Sequence, residues 1–198
     1  MFIAIYGVNN LGKTTQAKKI VQSLIKEGYE AEYIKYPIYG LEPTGSMLND
    51  YLRGGNPKEF NHREAQTLYV LNRFHYQPIL KEKLDSGLYI VAEDYIHTGI
   101  SWGVASGVDK DYLSRINEPL IKEDIAFFFD GKRFLKSKEE GHAHETDDQL
   151  VAQVRRIQQE MSEEYSWHTI DANKPVEDIH TQIWEILKQH LKRSRKKT

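Results

Sequence analysis

No cysteine occurs in the 198 residues, so disulfides, thiolate metal centres and cysteine nucleophiles are excluded together. A charge field of one sign is missing too. Lys and Arg number 27 against 29 Asp and Glu, a balance that argues against the dominant basic surface of a dedicated nucleic-acid binder. No apolar run approaches the roughly 20 residues needed to span a bilayer, and no basic leader with a small-residue cleavage site precedes the first apolar segment. A soluble, cytoplasmic protein of one domain is expected, with neither a membrane nor nucleic acid as partner. Its length suits a single core that folds without staples. The basic stretch 192–198 reads as a frayed, solvated helix end.

What is present is an alternation of short apolar runs with longer periodic segments. Residues 2–6 form an apolar run that stops at Gly7, the pattern of a buried strand meeting a turn. Ala17, Ile20, Val21, Leu24 and Ile25 then recur at helical spacing up to Gly28. Further strands are expected at 31–36, 88–92, 125–129 and 167–170. Helices are expected around Leu48 and Leu52, over 63–84, between the third and fourth strands, through Val154 and Met161, and after Pro175. In the 63–84 helix the candidate core positions are Leu68, Leu71, Ile79, Leu80 and Leu84. The stretch 131–148 is charged, lacks apolar periodicity and reads as a mobile loop, with His142 and His144 solvated rather than metal-bound. Strands alternating with helices predict an α/β fold: a parallel sheet covered on both faces.

The first turn of that fold carries Gly7-Val8-Asn9-Asn10-Leu11-Gly12-Lys13-Thr14. Backbone N–H groups in such a loop converge on one concavity, and the following helix presents its positive end there, so phosphate is the ligand. Gly7 and Gly12 permit backbone shapes that a side chain would obstruct. Lys13 can reach the β and γ phosphates, and the Thr14 hydroxyl is placed to ligate Mg²⁺. A carboxylate at the end of a neighbouring strand commonly serves the metal. Glu93 and Asp94 both stand there, and strand alternation should point them opposite ways.

A guanine-reading Asn-Lys-x-Asp segment is absent, which weakens a GTPase reading. The remaining motifs resemble the thymidylate kinase family along nearly the whole chain. They are Gly12-Lys13-Thr14-Thr15-Gln16, Lys35-Tyr36-Pro37, Tyr69-x-x-Asn72-Arg73, Glu93-Asp94-Tyr95-x-x-Thr98-Gly99, and 171–179 before the last helix. The resemblance implies a three-layer P-loop kinase fold with a five-stranded parallel sheet and a mobile lid at 131–148. It implies transfer of the ATP γ-phosphoryl group to dTMP, giving dTDP and ADP, with Mg²⁺ held through Thr14 and Glu93, in a homodimer joined through the 63–84 helix. In that family Arg73 would grip the acceptor phosphate, Tyr69 would stack on the base, Tyr95 would lie against the sugar and Trp102 would wall the base pocket. Asn9, Tyr36, Pro37, Thr98 and Gly99 would complete the acceptor site. Gly7, Asn10, Gly12, Lys13, Thr14, Thr15, Asn173 and Lys174 would hold ATP, and Lys13, Glu93 and Arg73 would carry catalysis.

Three departures from the family pattern leave room for other readings. Asp94 stands where the family usually has an acceptor-binding Arg. Asn9 replaces a usual acid, and Asn10 stands at a loop position that can supply a catalytic Arg. Basic residues of the 131–148 stretch, Lys132, Arg133, Lys136 and Lys138, are available in compensation. A kinase for another deoxynucleotide or a nucleoside is the neighbouring alternative. A regulatory ATP-binding protein without efficient transfer is the more distant one.

Overall fold

A computed structural model describes residues 1–133 and 148–195, with side chains up to 191. Five strands, β1 (Phe2–Tyr6), β2 (Ala31–Lys35), β3 (Tyr89–Glu93), β4 (Ile125–Asp130) and β5 (His168–Asp171), form one parallel sheet in the order β2-β3-β1-β4-β5. The helices are α1 (Lys13–Lys26), α2 (Thr44–Arg53), α3 (His62–Asp85), α4 (Ile96–Ala105), α5 (Lys110–Asn117), α6 (Asp148–Glu164) and α7 (Val176–Arg195). This is the three-layer P-loop kinase arrangement. The expected lid at 131–148 falls largely outside the described residues, His142 and His144 included.

All five residues of β1 are buried, as a central parallel strand requires when helices cover both faces. Ile3 and Ile5 pack with Ala17, Ile20 and Leu24 of α1 and Ile183 and Leu187 of α7. Phe2, Ala4 and Tyr6 face the other way, among Leu80 of α3, Ile96 and Ile100 of α4 and Leu113 of α5. The strand order reverses direction at β1, so the carboxyl ends of β1 and β3 border the crevice where ligands bind in open α/β sheets. Ile5 pairs with Glu93 there.

Two candidate core positions of the 63–84 helix are not in the core, Leu71 being 44% exposed and Ile79 42%, and Ile25 of the periodic set in α1 is 55% exposed. For α3 the reason is local: its inward face carries Gln66, Asn72 and Arg73 alongside Ala65, Leu68 and Leu80. Polar groups occupy part of the buried stripe, so apolar spacing misreads which way the helix faces. The helix opens with a capping box, Asn61 accepting from the Glu64 N–H and Glu64 accepting from that of Asn61. Two such bonds satisfy donors that the first turn leaves orphaned.

Candidate active site

The loop between β1 and α1 is shaped by close backbone approach. Gly7 has φ of 138°, and a Cβ built on it would stand 2.7 Å from the Phe129 carbonyl oxygen. Asn10 adopts φ of 65°, a left-handed conformation that Asn tolerates better than most side chains. Lys13 is 4% exposed. Its ammonium donates to the carbonyls of Gly7 (2.8 Å) and Val8 (2.9 Å) and stands 3.5 Å from Asp94 Oδ1.

Glu93 leaves the end of β3 toward α1 and β2. Its Oε2 accepts from Thr14 Oγ1 at 2.8 Å and from the Tyr33 hydroxyl at 2.6 Å, while Lys35 Nζ lies 3.1 Å from Oε1. Burial opposes ionisation of this carboxyl. The Lys13 and Lys35 charges and the two hydroxyl donors outweigh it and hold the pKa below the ordinary value. Asp94, one residue past β3 with a left-handed φ of 62°, diverges toward α4 and accepts from Thr98 Oγ1 at 3.2 Å. Here burial prevails over the nearby Lys13, and with Glu93 adjacent the pKa is raised. Both acids line one cavity, because it straddles the strand end. Sequence alternation separates the two side chains without telling that the site spans both directions.

That cavity has a volume of about 550 Å³, the range of a small-molecule site. The loop residues Asn9, Asn10, Gly12, Lys13, Thr14 and Thr15 form one end of it. Lys174, Val176 and Ile179 adjoin them, and Gln16 Nε2 ties α1 to this segment through the Val176 carbonyl at 2.8 Å. The opposite wall belongs to α3 and α4: Gln66, Tyr69 and Arg73 face Thr98, Gly99 and Trp102. Tyr36 and Pro37 line the cavity after β2. Asn72 fixes that segment, accepting from the Ile38 N–H at 2.8 Å and donating to the Ile38 carbonyl at 3.0 Å and Thr44 Oγ1 at 2.9 Å.

Three residues that the resemblance assigns to the site do not line the cavity. Gly7 acts through the loop backbone. Tyr95 is 1% exposed, its hydroxyl donates to the Ile121 carbonyl at 3.0 Å, and its ring packs against Phe2 and Tyr36. Asn173 instead pins the start of the segment after β4, exchanging hydrogen bonds with the Lys132 N–H (2.7 Å) and carbonyl (2.9 Å). Conversely, Lys35, Tyr39, Arg53 and Gln66 line the cavity without having been assigned to it. Arg53 Nη1 donates to the Tyr39 hydroxyl at 2.9 Å with its guanidinium 5.0 Å from that ring.

Arg73 is the most unusual charge in the wall. It is 4% exposed, and burial pulls its pKa below the ordinary value. Its terminal nitrogens donate to Asn117 Oδ1 (3.3 Å) and the Tyr95 carbonyl (3.0 Å), both neutral, and Nε has no partner among the described residues. The guanidinium lies flush against α4 because residue 99 is Gly. A Cβ there would stand 2.7 Å from Nη2.

A phosphate loop, a strand-end acid on its Thr, and a helical wall of aromatic and basic groups around one cavity form the architecture of a nucleotide phosphotransferase. Comparison with known proteins agrees. The thymidylate kinase family model matches residues 5–183. The human thymidylate kinase is 27% identical over 186 residues, covering 91% of this chain and 86% of its own. A probable thymidylate kinase of Methanocaldococcus jannaschii is 28% identical over 95% of this chain and 96% of its own. The solved thymidylate kinase structure from Candida albicans superposes with a TM-score of 0.77 at 25% identity, over 96% and 91% of the two chains. With the family model spanning nearly its full length, the chain belongs to the thymidylate kinase family.

Proposed function

We propose that the protein transfers the γ-phosphoryl group of ATP to dTMP, giving dTDP and ADP, in the cytoplasm. The observation that carries the acceptor side is Arg73. A guanidinium with only neutral partners is costly to bury, and an electron-rich acceptor in the cavity offsets that cost. The donor triphosphate would lie on the loop end, where Lys13 and the N–H groups of 10–15 meet it. Tyr69 and Trp102 would flank the acceptor base; Arg73, one helical turn from Tyr69 on the same wall, would meet that base rather than the phosphate expected from the resemblance, leaving the phosphate to Lys35 and Arg53. Catalysis is then mostly positioning and charge neutralisation. The acceptor phosphate is already ionised, so no strong general base is required.

Thr14 and Glu93 fit a Mg²⁺ ion. They offer one hydroxyl and one carboxylate oxygen 2.8 Å apart, and the carboxylate is held in its charged form. Among the described residues no group of three His, Asp or Glu could cage a metal. That suits an ion that takes most of its ligands from water and phosphate. When bound, Mg²⁺ supplies positive charge to the phosphate oxygens during transfer.

Asp94 favours one second reading. A half-buried carboxylate on the acceptor side repels a phosphate dianion and can accept a hydrogen bond from a hydroxyl, so a nucleoside acceptor competes. A coupled ADP-release assay with dTMP, dUMP and thymidine separates the two. The leading reading expects dTMP to be turned over well above acceptor-free hydrolysis and above thymidine. Turnover of dTMP no faster than acceptor-free hydrolysis would sink it.

The exposed Leu71 and Ile79, eight residues apart on α3 with Pro78 also exposed, supply an apolar strip that a second copy of the chain would cover. The double substitution Leu71→Glu, Ile79→Glu should convert a homodimer to a monomer in sedimentation equilibrium. An unchanged mass would remove α3 from the interface.

A further inference from the structure

Gln66 is a polar side chain of the cavity wall that the proposed mechanism leaves unused. It is 6% exposed, and its carboxamide has no hydrogen-bond partner among the described residues. A buried amide left unpaired is costly. Yet its nitrogen and oxygen are not sealed in the core, unlike Arg73 Nε or the Tyr36 hydroxyl. The open space they border is the cavity, which Gln66 lines. Gln66, Tyr69 and Arg73 follow one another at i, i+3 and i+7, so they share one face of α3.

Gln66 and Arg73 converge on the same point of α4. From the place a Cβ would occupy on Gly99, Gln66 Oε1 lies 3.2 Å away and Arg73 Nη1 and Nη2 lie 3.2 and 2.7 Å away. The Gln66 stem is held from the next turn, its Cγ lying 3.1 Å from the corresponding point on Gly103. A rigid amide and a rigid guanidinium therefore present hydrogen-bonding edges side by side, one helical turn from the ring of Tyr69.

We infer that Gln66 reads the base of the acceptor, accepting the N3–H of a thymine or uracil ring. The pairing follows from donor and acceptor counts. Arg73 can only donate, and one N–H on each terminal nitrogen is left after Asn117 and Tyr95, so the ring group it meets is a carbonyl. A carboxamide alone can present either its oxygen or its NH₂ and would suit cytosine as well. Beside a ring fixed with a carbonyl toward Arg73, the adjacent ring nitrogen carries hydrogen, and only the amide oxygen matches it. Cytosine would turn its amino group toward Arg73 and an acceptor nitrogen toward Gln66, leaving the buried guanidinium edge unpaired. The pair thus selects the imide edge shared by thymine and uracil. The inference rests on the proposed acceptor being a pyrimidine monophosphate.

The test combines an altered base with an altered side chain. kcat/KM is measured for dTMP, dCMP and N3-methyl-dTMP with the wild-type protein and with Gln66→Ala, and ATP binding and the melting temperature are followed in parallel. The wild type is expected to disfavour N3-methyl-dTMP by about 10- to 100-fold or more, the scale for an analogue that leaves a buried polar group unpaired. In Gln66→Ala the missing amide leaves room for the methyl group, so dTMP and N3-methyl-dTMP should converge to within about threefold while ATP binding is unchanged. The preference for dTMP over dCMP should fall by about tenfold. A purely structural Gln66 would depress all three acceptors equally and preserve their ratios, which overturns the inference while leaving the dTMP kinase reading intact. Should the variant not fold, the wild type decides alone: comparable turnover of N3-methyl-dTMP and dTMP overturns the assignment. Wild-type protein that turns over none of the three overturns both readings.

Discussion

Lys13→Ala should reduce phosphoryl transfer to dTMP by about 10³-fold or more, measured as single-turnover dTDP formation at saturating ATP. The Lys13 ammonium touches the Gly7 and Val8 carbonyls and stands 3.5 Å from Asp94. It also contributes the largest opposing charge at both strand-end acids. Removing it deletes a cation from the triphosphate and unmasks two carboxylates beside that triphosphate. The sign for Glu93 follows. Its folded-state pKa is depressed by Lys13 and Lys35, so losing Lys13 moves that pKa upward. The stability carried by its ionised form is present above the unfolded pKa and disappears as pH falls through the folded one, at a higher pH in the variant. Breaking a buried pair of this kind costs on the order of 3 kcal/mol, so the variant should also melt earlier, most visibly in acid. Retention of more than a tenth of wild-type transfer would show that Lys13 is not the principal cation on the transferring phosphate.

Such an outcome concerns the part of the site that is most legible in the sequence. The loop is local: its glycines, Lys13 and Thr14 lie within eight residues, and the motif carries its own geometry wherever a strand precedes it and a helix follows. Glu93 is nearly as readable, because a strand end beside β1 can be inferred from the alternation of elements. The helical wall is less so. Gln66, Arg53 and Lys35 gain their roles from where α3, α2 and β2 come to rest, and no short-range spacing encodes that. A signal for Gln66 exists all the same. It is a polar residue on the buried stripe of α3, three positions before Tyr69 and seven before Arg73, and a stripe interrupted by such residues faces something polar. The same interruptions place Leu71 and Ile79 outside, since a helix whose inward face is given over to ligand groups leaves apolar residues on its outer face. Tyr95 and Asn173 teach the converse. Each falls in a motif of the site, but Tyr95 is turned into the core and Asn173 braces the backbone after β4.

The charge pattern explains how a member of this family can carry Asp94 on the proposed acceptor side. The cavity is not uniformly basic. Its cations are divided between the loop end, with Lys13, Lys35 and Lys174, and the α2–α3 side, with Arg53 and Arg73, and Asp94 lies next to the first group. Lys13 meets Asp94 more closely than any other acid among the described residues, so the carboxylate is partly neutralised by the cation proposed to serve the donor phosphate. An acceptor phosphate reaching this point would compete with Asp94 for Lys13, and affinity for the acceptor must then come chiefly from the wall of α3 and α4.

That dependence makes Arg73→Met the sharpest probe of the acceptor side. Acceptor affinity, measured by calorimetry with dTMP, should fall by about 10²-fold or more, the scale for truncating a buried, charged hydrogen-bonding group at a binding interface. ATP affinity should stay within about twofold, because Arg73 lies in the opposite wall from the phosphate loop. Stability should respond in the other direction. The guanidinium is desolvated and has no acidic partner among the described residues, so removing it strands no buried counter-charge; only two bonds to neutral acceptors, Asn117 Oδ1 and the Tyr95 carbonyl, are lost. A Met side chain fills much of the space with an adaptable apolar stem. The acceptor-free variant is therefore expected to melt at or above the wild-type temperature while binding dTMP poorly, the pattern of a group kept for its ligand at the expense of the fold. Unchanged dTMP affinity would remove Arg73 from the acceptor site. A melting temperature lower by several degrees would show that its buried charge is compensated within the protein, and the acceptor would no longer be needed to explain it.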